Sequence, residues 1–159
     1  MHTQWKPAVT VAAIVERDGR FLIVEEHTSR GRALNQPAGH LEFAESLTAA
    51  VCRETHEETG WTIEPTACIG VYQWWREHRN VTVVRFAFAA TAVDHDDTTE
   101  LDEGIITTHW LTLPELREHD LPLRSPMVLR CIEDYEDGRR FPLDMIQRIV
   151  PDTVKGGQQ

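Results

Sequence analysis

Residues 39–61, GHLEFAESLTAAVCRETHEETGW, constrain this chain more than any other stretch, because they prescribe a capped helix whose carboxylates crowd one face. Ser46 is a natural N-cap, 47–59 contains neither Pro nor Gly, and Gly60 can close the helix in the left-handed conformation. The spacing predicts a helix over 47–59, about three and a half turns long. Leu47, Val51 and Thr55 form one i+4 row with Ala50 beside it, and that side faces the core. At about 100° per residue, Glu57 and Glu58 fall roughly 60° to one side and 40° to the other of Glu54. Three carboxylates therefore share a face. Like charges at these spacings cost a helix a few tenths of a kcal/mol per pair and raise one another's pKa, and a divalent cation reverses both penalties.

Oxygen-only ligands favour Mg²⁺ or Mn²⁺, and Mg²⁺ takes one or two carboxylates together with waters and substrate phosphates. The cluster implies a metal and a diphosphate together. Arg53 stands four residues before Glu57 and reads as a positioning residue, tied to it by an ion pair. A solvated acidic helix face would account for Glu54, Glu57 and Glu58, but it leaves Gly39, Glu45 and Gly60 at their offsets unexplained.

That whole pattern resembles the signature of the Nudix hydrolases: Gly39, then Glu45, the Arg53-Glu54 pair, the Glu57-Glu58 pair and Gly60. Thr55 and Trp61 depart from it, standing where the family prefers an aliphatic side chain. Both concern packing rather than ligation, and the Thr55 hydroxyl can bond back to a carbonyl one turn earlier. Further strings extend the likeness over residues 9–145: VTVAAIV, GRFLIVEE, NQPAGHLE, the Gln73-Trp74 pair, RFAFA, LRSP and PLDMI are similar to the NudJ branch of bacterial Nudix phosphatases. The resemblance implies an α+β Nudix fold, an α/β/α sandwich with a mixed β-sheet. It also implies an enzyme that removes terminal phosphate from nucleoside tri- and diphosphates and from hydroxymethylpyrimidine pyrophosphate. ADP-ribose or a dinucleoside polyphosphate as substrate is the alternative specificity. A domain that only senses a nucleotide is the alternative without catalysis, although such domains commonly lose part of the acidic trio.

Within such a hydrolase Glu57 and Glu58 are the expected main metal ligands. Glu54, central in the trio, is expected to share the metal and to deprotonate the attacking water, a role typically worth about 10²–10⁴-fold in rate. Gly39, lacking a β-carbon, lets the backbone approach the metal and phosphates. In this family a further acid from a loop outside the signature often assists, and Glu103, just before Gly104, is the candidate, with Glu100 behind it. The loop around it, 93–104, is no calcium-binding EF-hand, since Thr99 and Ile105 occupy the positions that need Gly and Glu.

Other residues are candidates for the rest of a substrate. Arg85 alternates with Val81, Val83 and Ala87, so it is either a phosphate contact inside the sandwich or a solvent-facing residue. Trp74 and Trp75 point to opposite faces of a regular strand, so one can stack on a flat ring while the other packs. Asn35 and Gln36 precede Gly39 and either hydrogen-bond a base or cap turns. His40 and His56 are poor ligand candidates in an oxygen-rich site.

With 159 residues, 41 % hydrophobic and 26 % charged, the chain suits one domain over 1–154 with a disordered tail at 155–159. A formal charge of −10 argues against a nucleic-acid polymer as partner and favours cations and small phosphorylated ligands. Cys52, Cys68 and Cys131 form no CxxC pair, which fits reduced thiols. No secretory or lipidation pattern and no apolar run near 18 residues occurs, so a cytoplasmic protein away from membranes is expected, as a monomer or homodimer. There is no GxxxxGK[ST], GxSxG, HExxH or GxGxxG, which leaves P-loop transfer, serine hydrolysis, zinc proteolysis and dinucleotide oxidoreduction without support. Strands are expected at 8–16, 20–26, 62–75, 81–93 and 108–113, helices at 114–119 and 125–135, and a breaker-rich loop at 27–38.

Overall fold

Alternation of apolar residues along two central strands decides where the helical layers sit. The computed structural model describes residues 4–151; the expected tail at 155–159 lies outside them. Strands β1 (Ala8–Arg17) and β2 (Arg20–Thr28) form a hairpin around Asp18 and Gly19, both in the left-handed region. After them come β3 (Gly31–Asn35), β4 (Ala38–His40), helix α1 (Leu47–Thr59), β5 (Trp61–Arg76), β6 (Val81–His95), β7 (Ile105–Leu111), the short α2 (Leu113–Arg117) and α3 (Met127–Glu136). The sheet runs β3-β2-β1-β6-β5, with β4 added to β1 and β7 to β2. Strands β1 and β6 are parallel, Ala8 opposite Val83 through Val15 opposite Ala90, and the other pairs of strands are antiparallel.

Along β1 and β6, Val11, Ala13, Val15, Phe88 and Ala90 face α1, where Ala50 and Val51 meet them. Ile14, Val83, Ala87 and Ala89 face the other way, onto Val128, Cys131 and Ile132 of α3. Each large apolar side chain so buried contributes about 1.5–3 kcal/mol. Two helical layers around a mixed sheet follow, and this is the α+β sandwich expected.

Helix α1 keeps the boundaries its sequence predicts. Ser46 accepts a hydrogen bond from the Ala49 N–H at 3.1 Å, and Gly60, at φ +74°, ends the helix with its N–H on the His56 carbonyl. A β-carbon on Gly60 would stand 2.6 Å from the Asp96 carbonyl oxygen, so close approach as well as φ demands glycine. The Thr55 hydroxyl donates to the Val51 carbonyl at 2.7 Å inside the core, which satisfies it where an aliphatic residue would otherwise pack.

The loop expected at 27–38 is corrected: most of it is paired backbone. Gly31, at φ +110°, turns the chain so that β3 pairs with β2 from Thr28 opposite Gly31 to Val24 opposite Asn35. The outer edge of β3 is held too, since the Leu34 N–H donates to the Pro122 carbonyl and the Arg124 N–H to the Leu34 carbonyl. Strand β7 begins earlier than expected, and Glu77–Arg79 is a 3₁₀ turn between β5 and β6. All three cysteines are free thiols. Among the described residues no helix is long and apolar enough to cross a membrane.

Candidate active site

The sheet opens where β1 leaves β2, and β4 fills the gap by pairing Ala38, Gly39 and His40 with Ala12, Val11 and Thr10. That insertion lays Gly39 against the acidic face of α1. A β-carbon built on Gly39 would lie 2.0–2.2 Å from the Glu54 carboxyl group, so the carboxylate occupies the space that any other residue would claim. The Ala38 N–H donates to Glu58 Oε2 at 3.3 Å.

Arg53 is the organiser of the acids. Its guanidinium donates to both Glu45 oxygens at 2.8 and 3.1 Å, to Glu54 at 2.9 Å, to Glu57 at 3.1 Å and to the His40 carbonyl at 3.1 Å. Glu45 in turn accepts from the Glu42 N–H at 2.7 Å. A planar fork with five donors reaches all of these, whereas a lysine ammonium has three. The expected Arg53–Glu57 pair is therefore one spoke of a larger hub. Its positive charge holds the Glu45 carboxyl below the ordinary carboxylate range, chiefly through their hydrogen bonds.

Oxygens of Glu54, Glu57 and Asp102 all lie within 4.8 Å of one another. The donors are carboxylate oxygens throughout, which fits a hard divalent cation rather than a soft one. Glu54 is 9 % exposed and its carboxyl is raised, first by burial and further by Glu57 and Asp102, against the opposing pull of Arg53. Glu58, deeper in the wall, is pushed up to about 9 by burial, with Glu26, Glu54 and Asp102 adding to it. Such a cluster is costly without a positive partner.

The acid that the 93–104 loop brings to this group is Asp102, itself exposed, while the expected candidate Glu103 and Glu100 behind it, equally exposed, are not among its members. The reason is a backbone bond: the Asp102 N–H donates to the Glu57 carbonyl at 2.9 Å, docking the loop on the end of α1.

Beside the carboxylates lies a cavity of about 390 Å³ lined by Asn35, Gly39, Glu54, Glu58, Trp74 and Arg85, among others. Arg85 is inside the sandwich, 5 % exposed, and burial lowers its pKa. Gln36 is 1 % exposed and does not line the cavity; it accepts from Arg85 Nη1 at 3.1 Å and donates to the Val128 carbonyl, bracing Arg85 against α3. Trp74 forms a wall, whereas Trp75 is 65 % exposed and does not line this cavity. Thr10 Oγ1, Asn35 Oδ1, Arg85 Nε and Ser125 Oγ are buried without hydrogen-bond partners, and all four residues line this cavity. Unpaired buried polar groups cost about 1–3 kcal/mol each, and four of them gather beside this one cavity.

Glu26 and Arg124, 3.1 Å apart, also line the cavity, and neither stood out in the sequence. Glu26 is the second of two acids, after Glu25, that end the apolar run of β2, and that second consecutive acid in a strand is the available signal; Arg124 lies in the LRSP string.

Gly39→Ala is expected to leave the fold in place, because Gly39 has no positive φ and the group it displaces is the free end of a side chain. The Glu54 carboxyl must move away, and a displacement of about 1 Å in such a constellation costs about 10²-fold in rate. A kcat reduced on that scale with a melting temperature within a few degrees of wild type is the expected result. A wild-type kcat would show that Glu54 need not stand where it does.

Comparison with known proteins agrees with this geometry. The NUDIX domain profile matches residues 5–131. Phosphatase NudJ of Escherichia coli K12 is 42 % identical over 143 residues, covering 89 % of this chain and 92 % of that protein. A NUDIX hydrolase structure from Nitrosomonas europaea is 43 % identical with a TM-score of 0.88, covering 91 % of this chain and 98 % of the other. A MutT NUDIX hydrolase from Burkholderia pseudomallei, 23 % identical with a TM-score of 0.70 over 82 % of this chain and 98 % of its own, shares the fold. With its helix of clustered acids held by one arginine, beside the strand β4 that fills the opening in the sheet, this chain belongs to the Nudix hydrolases and is an enzyme related to phosphatase NudJ.

Proposed function

We propose that the chain is a Mg²⁺-dependent phosphatase that cleaves the phosphoanhydride link of small pyrophosphates: nucleoside tri- and diphosphates and hydroxymethylpyrimidine pyrophosphate. The observation that carries this reading is that four residues with unpartnered buried polar atoms, Thr10, Asn35, Arg85 and Ser125, line the same cavity as Glu54, whose carboxylate clusters with those of Glu57 and Asp102. A phosphorylated ligand there would meet carboxylates at one end and hydrogen-bonding groups at the other.

Glu54, Glu57 and Asp102 would hold the cation, Mg²⁺ or Mn²⁺, with Glu58 completing the set from the wall. When bound, such an ion polarises phosphoryl oxygens and lowers the pKa of a nearby water. Water adds to phosphorus, the bridging P–O bond breaks, and the proton passes to Glu54. Glu54, the central acid of the trio, is the group placed to accept that proton. Arg53 fixes Glu54 and Glu57 in one orientation and removes the rotameric search before each turnover. Arg85 directs its unpartnered Nε–H at a phosphate oxygen, steadied from behind by Gln36, while Trp74 and Asn35 contact the group that carries the diphosphate.

The test is inorganic phosphate release from a panel of di- and triphosphates, hydroxymethylpyrimidine pyrophosphate, ADP-ribose and a dinucleoside polyphosphate, with Mg²⁺ and with chelator. Release from the first group that stops on chelation is expected. Cleavage confined to ADP-ribose or the dinucleoside polyphosphate would replace the specificity, and tight binding of nucleotides without turnover would replace catalysis by sensing.

A further inference from the structure

A second cavity, of about 610 Å³, adjoins the first, and Trp74, Arg76, Arg124 and Ser125 line both. Its far side is built by the β2–β3 turn and the 3₁₀ turn after β5, which bring in Arg30, Arg32 and Arg79. Five arginines thus meet in one cavity of a chain whose formal charge is −10.

Their pairing is uneven. Arg32 is bound to Glu25, and Arg124 to Glu26. Among the described residues, Arg30, Arg76 and Arg79 have no carboxylate within ion-pair distance; Arg79 donates to the Ser29 hydroxyl at 2.8 Å, and Arg76 lies over the Trp74 ring at 5.1 Å. Glu77 is the one acid on the lining, against these three free guanidiniums. Burial, and then the charges of Arg124, Arg79 and Arg30, lower the pKa of Arg76, so the group is close enough for mutual repulsion to be felt. Guanidiniums are the side chains that grip phosphate bidentately, and a cleft of one charge sign concentrates the opposite ion.

We propose that this annex is an anion subsite for the additional phosphate that a nucleoside triphosphate carries on the nucleoside side of the terminal link that is cleaved, so that the enzyme distinguishes a nucleoside triphosphate from the corresponding diphosphate by chain length. The inference rests on the function proposed above. The shared wall of Arg76 and Arg124 forms the passage: phosphates engaged at the acidic helix continue past these two residues, and the next phosphate meets Arg30 and Arg79. Trp74, capped by Arg76, separates the two compartments and keeps the chain extended between them.

The experiment compares kcat/KM for the di- and triphosphate of one nucleoside in wild type and in Arg30→Gln/Arg79→Gln. Both side chains are exposed and outside the acidic site, and circular dichroism with a melting curve checks that the variant folds. The ratio of triphosphate to diphosphate kcat/KM is expected to fall about tenfold, through KM for the triphosphate, and in wild type to fall with added salt as the charges are screened. Arg30→Gln alone, which removes no hydrogen bond, should lower it in the same direction. An unchanged ratio, or an equal loss on both substrates, would overturn the subsite while leaving the hydrolase reading intact. No phosphate release by wild type would overturn both.

Discussion

Glu54→Gln is expected to lower kcat by about 10²–10⁴-fold in saturating Mg²⁺ while the metal-free protein melts no earlier than metal-free wild type. Glutamine keeps the size of the side chain and an oxygen that can accept from Arg53, so the hub around the guanidinium survives. The proton acceptor is lost. Stability should hold or rise because the carboxylate it replaces is buried and faces Glu57 and Asp102, a set of like charges whose cost disappears with the negative charge. Measuring kcat and the melting temperature on the same preparations separates chemistry from folding. A variant that turns over within tenfold of wild type would remove Glu54 from the proton transfer, and the other acids of the cluster would have to be tried in its place. Asp102→Asn is the informative companion, since its loss should weaken Mg²⁺ binding more than it slows turnover at saturating metal.

The second large effect concerns pH in the metal-free protein. Burial pushes the Glu58 carboxyl from 4.5 up to about 9 in the fold, so across that interval the folded chain keeps a proton that the unfolded chain has released. Linkage then makes stability fall as pH rises, beginning near 4.5 and levelling off above about 9. At about 1.4 kcal/mol per pH unit the loss by neutrality is roughly 3.5 kcal/mol, or about 7–14 °C in melting temperature for a chain of this size. The carboxyls of Glu25, Glu45 and Asp134 are shifted downward, so their contributions are lost only as pH drops through their lowered values, at the acid end. The measurement is therefore the difference between wild type and Glu58→Gln, each melted in chelator over the range. The difference should grow with pH in favour of the variant. Saturating Mg²⁺ should restore the wild type most at high pH, by about 2.7 kcal/mol at a hundredfold excess over Kd. A difference that stays flat would mean that Glu58 is ionised throughout.

Local signals were enough to place the acidic helix and its partners. Ser46, the uninterrupted 47–59 and Gly60 act within a few residues of one another, and the same helix carries Arg53, Glu54, Glu57 and Glu58 at spacings fixed by its pitch. The hairpin at Asp18-Gly19 was legible for the same reason. Strand β3 was not, because RALN owes its extended form to β2 on one side and to the carbonyl of Pro122 on the other, and neither partner is near in sequence. The choice of Asp102 over Glu103 turns on one hydrogen bond to the Glu57 carbonyl. Gln36 looked like a ligand-binding amide, yet its position relative to Arg85 depends on how α3 packs beneath both. The arginine annex was invisible for a simpler cause: its charges come from separate segments, while the overall negative charge of the chain pointed away from any such concentration.

The overlap between a side chain at position 39 and the carboxyl group of Glu54 makes these two sites a single heritable unit. A descendant that discarded the acid would release the ban on larger residues at 39, and drift there would soon fill the gap. Reversion would then require both changes, since restoring Glu54 alone would drive it into an occupied space. Loss of hydrolysis by this route would act as a ratchet, and a bulky residue at 39 in a related genome would be its fossil mark.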